Sequence, residues 1–354
     1  VYRGWIEGRF GMRRQVGVKV FDVLAGSDEQ ELVLTSLALA TRRAACVRHP
    51  NVMRVEDFGL IGPHQPYVVE ELVEGRTLAR LLAHLGRRRE RLPLDLALFI
   101  GLELAEGLDG ARVAVSPEGT RLGVVHGELA PCDVLLSWQG EVKISDFGLG
   151  AASRAVSGTR GIGAMSARVR AMSPEVARGK QADARSDVFS LGVLMRELLV
   201  GPRFPAFASE TEALGWARDG VVHQSMFEPQ PPQLLRTVLT RSLERDPMRR
   251  YPHAGALASE LRRAALTMGV GDGRGFLRSA LARAFGEDGA LDDEETTGEV
   301  KALRPSGVVD RFARLRGEGP LAAEASADEP SRLDSGTRLV GATISDDLDD
   351  VEEA

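Results

Sequence analysis

Apolar and polar positions change period along this chain, and the changes divide it into parts. In "VYRGWIEGRFGMRRQVGVKVFDVL", residues 1–24, β-branched and apolar residues fall in two short stretches joined by a glycine-containing turn. That pattern predicts two strands, and "VGVKVF" is apolar enough for a buried one. Residues 28–47 switch to a Leu- and Ala-rich helical pattern. "NVMRVEDFG" and "PYVVEELVEG" then predict two more strands, the second ending in a turn at Gly75. The first part thus reads as a small β-rich unit with one helix.

Beyond Gly75 the period becomes helical. "PLDLALFIGLELAEGLDGARV" opens on Pro93, which suits a first helical turn, and carries its apolar residues on one broad face. "ARSDVFSLGVLMRELLVG", residues 184–201, is apolar almost all round and predicts a buried central helix stopped at Gly201-Pro202. Helical patterns recur near 209–218, 232–245 and 254–267, so the second part reads as mostly α. From about residue 287 the composition turns to Asp, Glu, Gly, Ser and Thr with little periodicity, which predicts disorder. One island there, "VVDRFARLR" (308–316), aligns Val308, Val309, Phe312 and Leu315 on a helical face. It reads as a transient helix more readily than as a docking segment.

Composition narrows the class. A hydrophobic content of 43% supports a real core, and the apolar runs are too short for a membrane span. Cys46 and Cys132 lie far apart without metal-like spacing, which fits buried thiols in a reducing cytoplasm. Residues 287–354 hold 19 acidic and 7 basic residues, a net −12 in a chain of −6, leaving about +6 for residues 1–286. A basic body with an acidic tail implies partners of complementary charge, the two parts of this chain among them. The basic excess has no cluster interleaved with aromatics, so nucleic acid is not an expected partner. Within the tail, "EETTGEV" and "GATISDD" offer Thr296, Thr297, Thr343 and Ser345 as candidate phosphoacceptors beside acids. The chain opens on Val1 rather than Met and shows no targeting segment, which leaves open what precedes it.

The chemistry-bearing stretch is "HGELAPCDVLL" (126–136), followed by "ISDFGLG" with Asp146. Glu128 precedes Asp133 by five residues and Asp146 by eighteen. "RHPNV" lies upstream, and "AMSPEVARGKQADARSDVFSLGVL" and "ERDPMRRY" lie downstream. In this order these motifs resemble the eukaryotic-like (Hanks-type) Ser/Thr protein kinases of bacteria, over residues 1 to about 267. The resemblance implies an α+β, two-lobed fold with a small β-rich N-lobe and a larger α-helical C-lobe. On it, residues 1–75 are N-lobe and hinge, 76–267 C-lobe, 268–286 a helical extension, and 287–354 an acidic disordered tail. The glycine-rich loop that the family lays over the nucleotide phosphates is expected upstream of Val1.

The same resemblance implies ATP and Mg²⁺ as ligands and assigns roles residue by residue. Lys19 matches the lysine that meets the α- and β-phosphates. The helix glutamate that should hold it falls at Ala40. Backbone at Glu71 to Val73 matches the hinge that meets adenine, and Glu70 guards the back of the pocket, where the family has an apolar or small residue. Glu70 is expected either to pair with Lys19 from the strand side or to face solvent in a slipped register. Asp146 matches the principal Mg²⁺ ligand, and Asp133 stands where the family has a metal-binding Asn. Glu128 replaces the catalytic Asp, moving the carboxylate by about an ångström, a shift of the size that can cost roughly 10²-fold. Gly127 and Ala130 replace an Arg and a Lys of the frame. Asp187, Glu175 and Arg250 match residues that hold the C-lobe together.

Scaffold residues are thus kept while catalytic ones are altered. The first expectation is a pseudokinase, a regulatory or scaffolding module for other signalling proteins that keeps some nucleotide binding. The alternatives are an atypical Ser/Thr kinase using Glu128 as base with Asp133 and Asp146 on metal, or another nucleotidyl-type transfer on the same fold.

Overall fold

The computed structural model describes residues 1–21, 28–62, 65–148, 168–201, 210–220, 230–286 and 338–344. Two antiparallel strands open the chain, β1 (Tyr2–Glu7) and β2 (Arg13–Val20), followed by helix α1 (Asp28–Ala44). Strands β3 (Val55–Ile61) and β4 (Gln65–Glu71) complete the antiparallel run β3-β4-β2-β1. Alternation sorts the strand residues onto two faces. Val16 and Val18 of β2 join Tyr67 and Val69 of β4 in one buried cluster. Lys19 lies on the opposite face, as does Val68, which packs with Phe21 and Leu37 beneath α1.

Strand β3 begins at Val55 rather than at Asn51, because residues 51–53 are engaged elsewhere. Ile144 accepts from the Met53 N–H at 2.8 Å and donates to the Asn51 carbonyl at 2.8 Å. The Asn51 side chain donates to Glu103 and to the Val142 carbonyl, at 2.7 and 2.9 Å. This segment fastens the β1–β4 sheet to the helical part.

The helical part is built around α3 (Leu94–Arg112) and α5 (Ala184–Val200), with α4 (Pro174–Ala177) before the latter. Pro93 caps α3 from outside its first turn, with φ −56° and ψ 144°. Gly101 lets α5 approach α3 closely, since a Cβ there would lie 1.8 Å from Met195 Sδ. Val188, Phe189 and Leu191 of α5 are fully buried, each contributing about 1.5–3 kcal/mol relative to exposure. Helices α6 (Glu210–Asp219), α7 (Gln233–Ser242) and α8 (Ala254–Met268) surround this pair. Helix α9 (Gly273–Phe285) docks through the fully buried Leu277 and Leu281.

Helix α2 (Leu78–Arg88) falls in the helical stretch expected beyond Gly75, with Leu78, Leu81, Leu82 and Leu85 recurring at helical spacing. The small sheet of β5 (Gly75–Thr77), β6 (Val134–Ser137) and β7 (Val142–Ile144) was not legible from periodicity. The three strands are too short to show a period of two, and β5 pairs with β6 across 60 residues of chain.

Of residues 287–354 the structure describes 338–344, which form β8 (Arg338–Ile344), antiparallel to β1 and outermost in the large sheet. The candidate helical island at 308–316 lies outside the described residues. No described helix is long and apolar enough to cross a membrane.

Candidate functional site

The chain between the two lobes converges on one small volume. Lys19, near the end of β2, reaches two carboxylates: Asp146 Oδ1 at 2.6 Å and Glu70 Oε2 at 3.2 Å. Glu70 comes from the strand side. It pairs across the ladder with Gly17, which has no side chain, so its carboxylate can lean along the strand toward Lys19. Burial, the largest influence, pushes the Glu70 carboxyl above the usual range; Lys19 pulls it down and Asp146 pushes it up again. Behind it lies a space of about 10 Å³ lined by Thr41, Val68, Ile144 and Phe147. Ala40 supplies no charge and packs against the Phe21–Leu37–Val68 cluster.

Asp146 stands on a left-handed backbone, φ 65°, a conformation that costs a non-glycine residue energy and is kept where the surroundings impose it. Those surroundings are Lys19 on one oxygen and the Arg168 guanidinium on the other, Nη2 to Oδ2 at 3.1 Å. The same Nη2 also donates to Asp133 Oδ1. Arg168 is 4% exposed. Burial opposes its charge, but Asp133 and then Asp146 outweigh that and hold the guanidinium above its ordinary value. It is carried by a helical turn at 168–171 whose neighbours Val169 and Met172 pack with Val176, Ala177, Ala213 and Ala217. Nothing local in the sequence separates Arg168 from Arg160 or Arg170, because its partners lie 35 and 22 residues away.

The stretch carrying Glu128 is pinned throughout. Asp187, at the start of α5, accepts the N–H of His126 at 3.0 Å and of Gly127 at 2.7 Å. Burial pushes the Asp187 carboxyl up to about 7, against the downward pull of those two donors. Gly127 has φ 84°, which favours glycine over the arginine of the family frame. Asp133 Oδ2 accepts the Ala130 N–H at 3.0 Å, and the His126 ring meets the Ser145 carbonyl at 3.0 Å. Burial lowers the His126 pKa, which favours the neutral ring. Within this frame Glu128 is 4% exposed.

Glu71, Leu72 and Val73 line a cavity of about 470 Å³ with Arg14, Gln15 and the β6–β7 turn. The Glu71 N–H is taken by the Arg54 carbonyl at 2.9 Å, and its carboxylate by Lys143 at 3.0 Å. Away from the cleft, Glu175 and Arg250 form a two-pronged pair at 2.7 and 2.9 Å, with Ser186 donating to Glu175 at 2.8 Å. Thr343 lies in β8 opposite Arg3; Thr296, Thr297 and Ser345 lie outside the described residues.

The carboxylates of this arrangement are already met by cations, Glu70 and Asp146 by Lys19, and Asp133 and Asp146 by Arg168. A divalent ion needs several oxygens at close range, and here one guanidinium nitrogen already bridges Asp133 and Asp146. Among the described residues no group of three or more His, Cys, Asp or Glu converges as a metal site. The residues present do not fit Mg²⁺ as they stand.

Residues 1–261 match the family model described as protein tyrosine and serine/threonine kinase. The chain is 31% identical over 248 residues to the tyrosine-protein kinase MasK of Myxococcus xanthus, covering 70% of this chain and 38% of the relative. It is 34% identical over 264 residues to the serine/threonine-protein kinase PknL of Mycobacterium tuberculosis, covering 74% and 61%. With PknA of Corynebacterium glutamicum it shares 30% over 335 residues, 89% of this chain and 66% of the relative. The chain therefore spans well under two thirds of MasK and slightly less than two thirds of PknL.

Proposed function

Since the chain belongs to the protein tyrosine and serine/threonine kinase family, we propose that it is a pseudokinase: a kinase-fold regulatory or scaffolding module for other signalling proteins. It keeps a nucleotide pocket and does not transfer phosphate. The setting of Glu128 carries this reading. A general base must come within hydrogen-bond reach of the hydroxyl it deprotonates. Glu128, at the base position, is 4% exposed. Its loop is tied by Asp187 at His126 and Gly127 and by Asp133 at Ala130, so it is not free to swing out. A loop held at His126, Gly127 and Ala130 leaves the Glu128 carboxylate little room to move outward.

Nucleotide binding is supported by Lys19 and the hinge. The ammonium faces the cleft beside Asp146, and Glu70 substitutes for the charge that α1 lacks at Ala40. A bound nucleotide would serve as a conformational ligand, joining the lobes without chemistry.

Intact-mass spectrometry tests the reading. Chain incubated with ATP and Mg²⁺ or Mn²⁺ is expected to gain no phosphate, and neither are Glu128→Ala and Lys19→Met. Phosphate on the wild type that disappears in both variants would instead establish an atypical Ser/Thr kinase with Glu128 as its base.

A further inference from the structure

We propose that Arg168 is the resident cation of this cleft: it holds Asp133 and Asp146 where a divalent ion would sit, so the site takes a nucleoside polyphosphate without divalent metal. The proposal rests on the nucleotide reading above and extends it to the ligand's form. Three features support it, each involving Arg168 and none depending on Glu128.

The first is position. One nitrogen, Nη2, reaches a carboxylate oxygen of each aspartate, which is the bridging place between them. A planar, permanently charged fork is suited to paired carboxylates in a way that a lysine is not. The second is anchoring. Arg168 does not dangle from a surface loop, because Val169 and Met172 on its own turn are buried against α4 and α6. Expelling the guanidinium would require moving that packed turn or leaving two buried carboxylates facing each other. The third is spare capacity. Nε and Nη1 of Arg168 are buried and meet no hydrogen-bond partner among the described residues. Buried donors without acceptors are uncommon, and a phosphate oxygen is the acceptor a polyphosphate would bring. Lys19 lies on the other side of Asp146, so an entering phosphate chain meets an ammonium and a guanidinium.

Titrating Mn²⁺ alone into the full chain, with free Mn²⁺ followed by electron paramagnetic resonance, tests the first half of the claim. Wild type is expected to show no binding that Asp146→Asn removes, whereas Arg168→Gln is expected to bind at least about tenfold more tightly than wild type. Because R168Q leaves two carboxylates facing each other, its melting is followed with and without Mn²⁺. Stabilisation of R168Q by Mn²⁺, or recovery of cooperative melting where the metal-free variant is unfolded, is the expected result. Wild-type Mn²⁺ binding lost in D146N overturns the proposal, and so does an R168Q chain that gains neither affinity nor stability from Mn²⁺. Fluorescent ATP, titrated in EDTA and in Mn²⁺, tests the second half. Equal affinity in the two media for wild type, and metal-dependent affinity for R168Q, are expected; wild-type binding only with metal overturns the claim. Absence of ATP binding in either medium overturns the nucleotide reading, while the Mn²⁺ titration still decides the role of Arg168.

Discussion

Lys19 sits between Glu70 and Asp146, and these three do not share charge equally. Asp146 has a second cation in Arg168, whereas Lys19 is the one cation within 4 Å of Glu70 among the ion pairs of the described residues. Lys19→Met therefore strands a buried carboxylate and is expected to cost about 3–5 kcal/mol in urea unfolding. Glu70→Met leaves Lys19 paired with Asp146 and is expected to cost much less. The double variant should recover part of the Lys19→Met loss, with a coupling of about 1–3 kcal/mol; additive losses would show that the contact carries no energy. Lys19, Asp133 and Asp146 were reached through motif spacing. For Glu70 the sequence left open both a pairing with Lys19 and a solvent-facing slipped register, and the strand register decides between them. Arg168 was not legible. An arginine announces itself in sequence only through a motif or a helical neighbour, and this one acts through fold-dependent contacts with two distant carboxylates.

Secondary elements were legible in proportion to their length. Helices α3 and α5 carry several turns of pattern, while β5 to β7 carry three or four residues each and exist through pairing. Gly75 illustrates the difference: read as a turn, it is a point of contact, where a Cβ would lie 1.9 Å from the Leu136 carbonyl oxygen. Glu175 does similar joining work in the helical part, tying α4 to the start of α5 through Ser186 and to the approach to α8 through Arg250. Burial alone would raise the Glu175 carboxyl, but the hydrogen bonds and charge of Arg250 outweigh it and hold the pKa below 4.5. A carboxyl lowered on folding stabilises fully above its unfolded pKa, and that contribution fades as pH falls through the folded value. Glu175→Gln is thus expected to lower stability by about 3–5 kcal/mol at neutral pH. The gap from wild type should close in acid below pH 4.5. A gap that stays constant with pH would assign the loss to packing instead of charge.

Taken together, the chain's charge division suggested that an acidic tail would meet a basic body through screened electrostatics. The contact the structure describes is of another kind. Strand β8 adds to the open edge of β1 in antiparallel register, Tyr2 opposite Ile344 and Arg3 opposite Thr343, with an irregularity between Gly4 and Ile6. An uncovered edge strand presents a row of unsatisfied backbone groups, and a second strand satisfies them whatever its charge. "RLVGATI" suits that place because β-branched residues favour a pleated surface, a signal hidden by the acidic composition around it. Removing residues 338–354 is therefore expected to speed hydrogen exchange at the β1 amides that face β8. The α3 and α5 amides should exchange as before. Backbone pairing is far less sensitive to salt than contact between exposed charges, so the difference should persist at high ionic strength. Protection of β1 that the truncation leaves intact would place β8 elsewhere in solution. Protection that salt alone abolishes would return the tail to the electrostatic role its composition first suggested.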